Sequence, residues 1–271
     1  MIIDSHAHVM LPTTVQLQKM DEAGVDCTIL FTTTPHVEQA ADFSLQAIQK
    51  ELQALNQLLQ GKPSLTERAA QMKQTIIELQ QAIHAAPGRF YGFGPIPLGL
   101  PTEETAQWLE QMVVGNGLRG VGEFTPGSVQ QMEQLEPVLQ AVADYRNLPV
   151  WVHTFHPVTK QGVTALMALC QRYAGVPVIF GHLGGVHWME VIAFAKEQLN
   201  VYLDLSAVYT PLAVRAALAE VPERCLFSSD APFGEPLLLR QMIEVVSPSS
   251  MITDMVLGEN MAQLLELTAG I

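Results

Sequence analysis

Met1-Ile2-Ile3-Asp4-Ser5-His6-Ala7-His8-Val9-Met10 opens the chain with an apolar run that leads directly into two histidines one residue apart. A β-strand turns successive side chains to opposite faces, so His6 and His8 share one face and Ala7 takes the other. Two imidazoles on one face can hold a single divalent cation. Such a pair is equally an ordinary feature of a strand end, so the segments downstream carry the decision.

Those segments alternate. A helix over residues 15–23 stops at Gly24, and a strand dense in β-branched and apolar residues follows over 25–32. Further strands are expected at 90–96, 120–124, 149–153, 177–182, 201–205 and 225–230. Helices are expected at 103–114, 129–145, 162–173, 188–199 and 212–220, with a closing helical region over 236–246 and 252–267. Short apolar strands separated by amphipathic helices imply a parallel sheet, and eight such units imply an α/β fold closed as a (β/α)8 TIM barrel. The whole of 1–271 reads as one such domain. The regular alternation is interrupted once, by a helical insertion over 36–88 after strand 2. It comprises helices at 40–59 and 65–86, rich in Gln, Leu, Ala and Ile at helical spacing. Gly61-Lys62-Pro63 breaks the pair, and Pro35 and Pro87-Gly88 bound it. No Gly-rich phosphate fingerprint follows any strand, which argues against nucleotide binding.

Bulk properties fit a large single core: 48% of the 271 residues are hydrophobic and 15% are charged. Fourteen Lys and Arg against 27 Asp and Glu give a net charge of −13, without any basic cluster. Nucleic acid and anionic membrane surfaces are therefore poor partners. No basic and apolar leader opens the chain and no apolar run reaches the roughly 18 residues of a membrane span. A soluble, cytoplasmic protein is expected. Cys27, Cys170 and Cys225 are odd in number and widely separated, each among apolar residues, and read as buried thiols.

The chemistry of a parallel barrel sits at the carboxyl ends of its strands. His6 and His8 end strand one, Glu123 strand four, His153 strand five, His182 strand six and Asp230 strand eight, each after an apolar run. Isolated buried charges are costly, so six such groups at one end of one barrel are expected to be paired or metal-bound. A metal centre accounts for all six.

These motifs resemble the amidohydrolase superfamily, and within it the metal-dependent hydrolases that include decarboxylases of the aminocarboxymuconate-semialdehyde type. The resemblance rests on Ile3-Asp4-Ser5-His6-Ala7-His8, Gly120-Val121-Gly122-Glu123, Val152-His153, Gly181-His182-Leu183-Gly184-Gly185, Ser228-Ser229-Asp230-Ala231-Pro232-Phe233-Gly234 and Leu257-Gly258-Glu259-Asn260. It implies one of two arrangements. Either His6, His8, His153 and Asp230 hold one ion with His182 as its catalytic neighbour, or His153 and His182 hold a second ion that Glu123 bridges to the first. Zinc suits such imidazole and carboxylate donors and makes water reactive near neutral pH. Asp230 is the natural proton shuttle, with His182 or the metal polarising a carbonyl. Hydrolysis of an amide, ester or lactone of a small molecule follows. Non-oxidative decarboxylation of a small unsaturated or aromatic acid is the alternative, and a metal-binding barrel without turnover a third.

Lesser candidates lie around the same mouth. His156, His187, His36 and Ser206 are candidate substrate contacts. His187 opens a helix whose free amides could receive an anionic group. Asp204 either lines the pocket with Ser206 or is a buried hydrogen-bond acceptor. Arg119 shares strand parity with Glu123 and is a candidate partner for it. Asp4 is placed deeper, orienting a metal ligand, and His84 faces solvent. The insertion should cover part of the mouth, and its apolar helices offer a surface for a homo-oligomer.

Overall fold

Eight parallel strands hydrogen-bond to one another in chain order: β1 (Ile3–His8), β2 (Cys27–Phe31), β3 (Phe90–Gly94), β4 (Gly120–Phe124), β5 (Val150–His153), β6 (Val178–Gly181), β7 (Val201–Asp204) and β8 (Cys225–Leu226). The computed structural model describes residues 1–32, 36–40, 42–59 and 64–267. The ladder of β8 stops at Leu226, short of the expected residue 230, because the chain beyond it turns to bond β1. Ser5 N donates to Phe227 O (2.9 Å), Asp230 N to His6 O (2.8 Å) and His8 N to Ala231 O (2.7 Å). These bonds bring the last strand against the first, and the expected (β/α)8 barrel is the fold observed.

The connecting helices are α1 (Thr13–Ala23), α2 (Leu45–Leu59), α3 (Leu65–Ala85), α4 (Thr102–Trp108), α5 (Val129–Glu133), α6 (Glu136–Val142), α7 (Lys160–Arg172), α8 (Trp188–Glu197), α9 (Pro211–Glu220), α10 (Pro236–Val246), α11 (Ser250–Asp254) and α12 (Asn260–Leu264). Gly24 ends α1 in the left-handed conformation that glycine adopts readily. Between β2 and β3, α2 begins at Leu45, later than expected, because Phe43 takes a left-handed backbone and Ser44 caps the helix, its Oγ accepting from Ala47 N. Ser64 and Glu67 make a reciprocal capping box at the start of α3. The expected boundary at Pro35 and break at Gly61-Lys62-Pro63 lie outside the described residues. The single helix expected over 129–145 is two, because Pro137 lacks an N–H and fits only a first turn, where α6 begins. The closing region over 252–267 is likewise divided, by a wider turn over Met255–Glu259.

Two apolar layers hold the barrel. The larger lies between strands and helices. The inner one fills the axis with Ile3, Ile29, Phe31, Phe93, Trp151 and Ile179, and Met261 and Leu264 of α12 join it. Glycines make room for its rings: a Cβ on Gly120 would stand 2.5 Å from Phe93, and one on Gly181 2.1 Å from Trp151. Trp151 is fully buried with its ring 4.2 Å from that of His6 and 5.3 Å from that of His182, so it forms the floor of the site. Cys27, Cys170 and Cys225 are buried and unpaired. No helix among the described residues is long and apolar enough to cross a membrane.

Candidate metal centre

His6 and His8 project from the same face of β1, while Ala7 packs outward into the layer under the helices. This holds despite a register irregularity between Asp4 and Ala7. Both imidazoles point Nε2 at the same two carboxylates. His6 Nε2 lies 3.7 Å from Glu123 Oε2 and 3.8 Å from Asp230 Oδ1, and His8 Nε2 lies 3.5 Å and 3.2 Å from those atoms. On the other side of Glu123, Oε1 lies 3.0 Å from His153 Nδ1 and 4.0 Å from His182 Nε2. The carboxylate is thus divided between two imidazole pairs. The six strand-end residues singled out from sequence converge on one cleft: five of them form two three-donor sets that share Glu123, His6, His8, Glu123 and Glu123, His153, His182, and Asp230 stands beside the first through His6 and His8.

The far sides of the rings are also held. His8 Nδ1 faces Thr32 O at 3.4 Å, His153 Nε2 contacts His156 O at 3.0 Å, and His182 Nδ1 contacts Ser206 Oγ at 2.9 Å. Carbonyl and hydroxyl partners on one ring nitrogen present the other to the cleft. Asp204 ties these supports together. It accepts from His182 N (3.1 Å), Ser206 N (3.0 Å) and Trp151 Nε1 (3.3 Å), and its Oδ2 stands 3.5 Å from His6 Nδ1. On β1, the buried Gln16 amide clasps the backbone around His8, accepting from Met10 N and donating to His8 O. His182 and Asp230 both have left-handed backbones, at φ 59° and 57°. Non-glycine residues adopt that conformation at some cost, and such strain concentrates at functional sites.

The charge balance is that of a centre built for cations. Burial works against ionisation of Glu123 and Asp204, yet His6, with His153 for Glu123 and Ser206 for Asp204, holds both carboxyls well below their usual range. Burial also opposes charge on His6 and His153, but Asp204 and Glu123 beside His6, and Glu123 beside His153, raise both. Burial lowers His182. The paired carboxylates and imidazoles favour one another's charged forms, and an ion that binds these donors competes with protons for them. The residues fit a metal on one observation: His6 is fully buried and its Nε2, aimed between Glu123 and Asp230, has no hydrogen-bond partner, a lack that a coordinated ion satisfies while Asp204 faces Nδ1.

The sequence pattern of the amidohydrolase family matches residues 3–246. This chain belongs to the amidohydrolase family. No curated protein matches it. Among solved structures, this amidohydrolase is similar over its length to 5-carboxyvanillate decarboxylase from Sphingomonas paucimobilis, at 16% identity and a TM-score of 0.68, covering 98% of this chain and 99% of that one. A 2,6-dihydroxybenzoate decarboxylase complexed with 2,6-dihydroxybenzoate aligns at 17% identity and 0.70, over 98% and 99%. A dihydroxybenzoic acid decarboxylase from a Polaromonas species, with bound manganese and the inhibitor 2-nitroresorcinol, aligns at 19% and 0.67, over 99% and 98%. At these identities the likeness is one of fold.

Several lesser residues of the amidohydrolase sit differently from expectation. Ser206 does not face substrate: it is fully buried, bonded to His182 on one side and Asp204 on the other. Asp204 is the buried acceptor, not a pocket wall. Asp4 lies behind the donors as expected, and supports them through the backbone of His6 and through Ser229, next to Asp230. After the irregularity in β1 its carboxylate turns to β8, where it accepts from Ser229 Oγ and N and from His6 N, and burial pushes its pKa up to about 7. His156 contributes its carbonyl, its side chain being exposed. His36 pairs with Glu38 at 3.2 Å and Glu78 at 3.7 Å, away from the donor set. Arg119 is exposed at the opposite end of β4 from Glu123. His187 is half-buried and makes no hydrogen bond among the described residues, and in the loop before it Gly184 N already donates to Thr154 Oγ1. His84 is exposed. Gln16 escaped notice in the sequence, although a glutamine on the buried stripe of α1 with Met20 and Ala23 was a usable signal.

Proposed function

We propose that this chain is a metal-dependent hydrolase that cleaves an amide, ester or lactone of a small molecule at two ion sites sharing Glu123. What supports hydrolysis is the division of that carboxylate, Oε2 toward His6 and His8 and Oε1 toward His153 and His182. A bridging carboxylate has a clear task between two ions and none that a one-ion decarboxylase requires. Divalent ions, zinc by preference for imidazole-rich donors, would supply an acidified water and an electrophile for the substrate carbonyl. The chain's own groups do the rest. Asp230, whose carboxylate is 12% exposed at the cleft, accepts the proton of the attacking water and returns it to the leaving group. Asp204 and Ser206 hold His6 and His182 in place, and Trp151 closes the floor against water from below. A cytoplasmic location belongs to the same proposal, supported by three buried, unpaired thiols.

A second reading is favoured by a different observation. The named structures of like fold are decarboxylases, and on the comparisons non-oxidative decarboxylation stands at least level with hydrolysis. In that case Asp230 protonates the substrate carbon before carbon dioxide leaves. A panel of neutral amides, esters and lactones, read for acid release, and of small aromatic and unsaturated acids, read for carbon dioxide, separates the two. Hydrolysis that falls about 100-fold or more in Asp230→Asn supports the proposal. Carbon dioxide release without any hydrolysis replaces it with the second reading.

A further inference from the structure

His8 ends β1, and the residues that lead the chain away from it, Val9 to Leu11, belong to no helix or strand. Their backbone groups depend on other segments for partners. Phe31 O accepts from Val9 N at 3.1 Å, and Gln16 holds His8 O and Met10 N. Leu11 is tied to the tight turn Val37–Gln39 after β2. Glu38 Oε1 accepts from Leu11 N at 3.0 Å, and Gln39 Nε2 donates to Leu11 O at 3.3 Å. His8 leans on the same side, with its Nδ1 facing Thr32 O just after β2. The chain after β2 thus meets the chain after β1 twice, at the His8 ring and at Leu11.

The bond to Glu38 is the one that carries charge, and an N–H held by a carboxylate is about twice as strong as one held by a neutral group. The Glu38 side chain is 8% exposed and its Oε2 has no hydrogen-bond partner, so a charge there needs a counter-charge close by. His36 supplies it. Its Nδ1 stands 3.2 Å from Glu38 Oε1, and its Nε2 stands 3.7 Å from Glu78 Oε2 on α3, the second helix of the insertion. Helix α2 packs on the same turn and carries Lys50 and Glu51; among the described residues the ion pairs of the His36 ring are with Glu38 and Glu78 alone. Burial works against charge on Glu38, but the His36 imidazole and the Leu11 amide hold its carboxyl below the usual range. A protonated ring donates to both carboxylates, whereas a neutral one donates to only one of them.

We propose that Glu38 is a positioning residue for the ion site: it fixes the backbone that leaves His8, through Leu11, and His36 with Glu78 of the insertion keeps its carboxylate charged and in place. The proposal rests on ion binding at His6 and His8, and is the same whether the substrate is hydrolysed or decarboxylated. The test is zinc affinity of the full chain, by competition with a chelating dye, at about pH 6 and pH 9. Each variant is read as a ratio to wild type at the same pH, so that proton competition at the donors cancels. Glu38→Ala is expected to weaken zinc about tenfold at the lower pH, the small end of the range for a lost outer support because Glu38 acts through the backbone. Glu38→Gln keeps an oxygen for Leu11 N and is expected to stay within about threefold of wild type. His36→Gln is expected to weaken zinc about threefold at the lower pH and to leave it unmoved at the higher, where the wild-type ring has lost its proton. Hydrogen exchange at the Leu11 amide, in chelator, reads the tie without an ion: it should quicken in Glu38→Ala and not in Glu38→Gln. A zinc affinity in Glu38→Ala equal to wild type, even with a lowered unfolding midpoint, leaves Glu38 a part of the frame alone and overturns the proposal. So does Glu38→Gln binding as weakly as Glu38→Ala, an unmoved Leu11 amide, or a His36→Gln loss equal at both pH values. No zinc uptake by wild type retires the ion site itself, and the proposal with it.

Discussion

Replacing Asp204 with asparagine tests how the site is held. The carboxylate accepts four hydrogen bonds: His182 N, Ser206 N and Ser206 Oγ on Oδ1, and Trp151 Nε1 on Oδ2, which also faces His6 Nδ1. An asparagine with its oxygen in the Oδ1 position keeps the first three. Its amide then points at Trp151 N–H and leaves a fully buried donor unpaired, which costs about 1–3 kcal/mol. At roughly 2–4 °C per kcal/mol for a chain of this size, the metal-free midpoint should fall by about 2–12 °C. The second effect is on ions. Asp204 is the anion beside His6, and removing such outer partners weakens binding about 10–100-fold. Thermal unfolding in chelator reads the first effect, and competition with a chelating dye reads the second. Ser206→Ala is the companion: it spares Asp204 but frees His182 Nδ1, and should weaken ion binding while costing less stability. A midpoint and ion affinity both indistinguishable from wild type in Asp204→Asn would refute this account of the support.

Other perturbations reach the frame and the mouth. Gly181→Ala sets a methyl 2.1 Å from the Trp151 ring and should destabilise by about 1–3 kcal/mol, whereas Gly175→Ala, with nothing within 4 Å, should leave the midpoint unmoved. Equal midpoints for the two variants would contradict the packing of Trp151 on β6. Glu38 beside His36 holds that imidazole above its usual value, against the effect of burial. The native state therefore binds the proton more tightly than the unfolded chain, so the pair stabilises fully below about pH 6.5 and the gain is lost as pH rises through the raised value. In chelator, His36→Gln should lower the midpoint at pH 5.5 and leave it unchanged at pH 9. The same difference at both pH values would show that the pair contributes nothing.

The barrel was legible because each strand is a short apolar run and each donor stands at the end of one. His6, His8, Glu123, His153, His182 and Asp230 share that signal, and the closed ring of strands brings them together. Parity along a strand shows which face a side chain takes but not how deep it lies. Ser206 was therefore read as a substrate contact when it is buried under His182, and Arg119 as a partner of Glu123 when it lies at the far end of the strand. Asp4 followed simple alternation on paper, but the irregularity in β1 turns it toward Ser229. The split of the helix at Pro137 was readable from proline chemistry alone. The tie from Glu38 to Leu11 was not readable, since neither parity nor spacing shows which side chain a loop amide will meet.

The central claim is that Glu123 joins two ion sites, and the direct measurement is metal content per chain, by elemental analysis, in wild type and Glu123→Gln purified without added metal. The division of its carboxylate between His6 with His8 and His153 with His182 predicts about two ions in wild type, and one or none in the variant, because each set loses its shared charged oxygen. One ion per chain, unchanged by the substitution, would contradict the bridge and move decarboxylation of aromatic and unsaturated acids to the front.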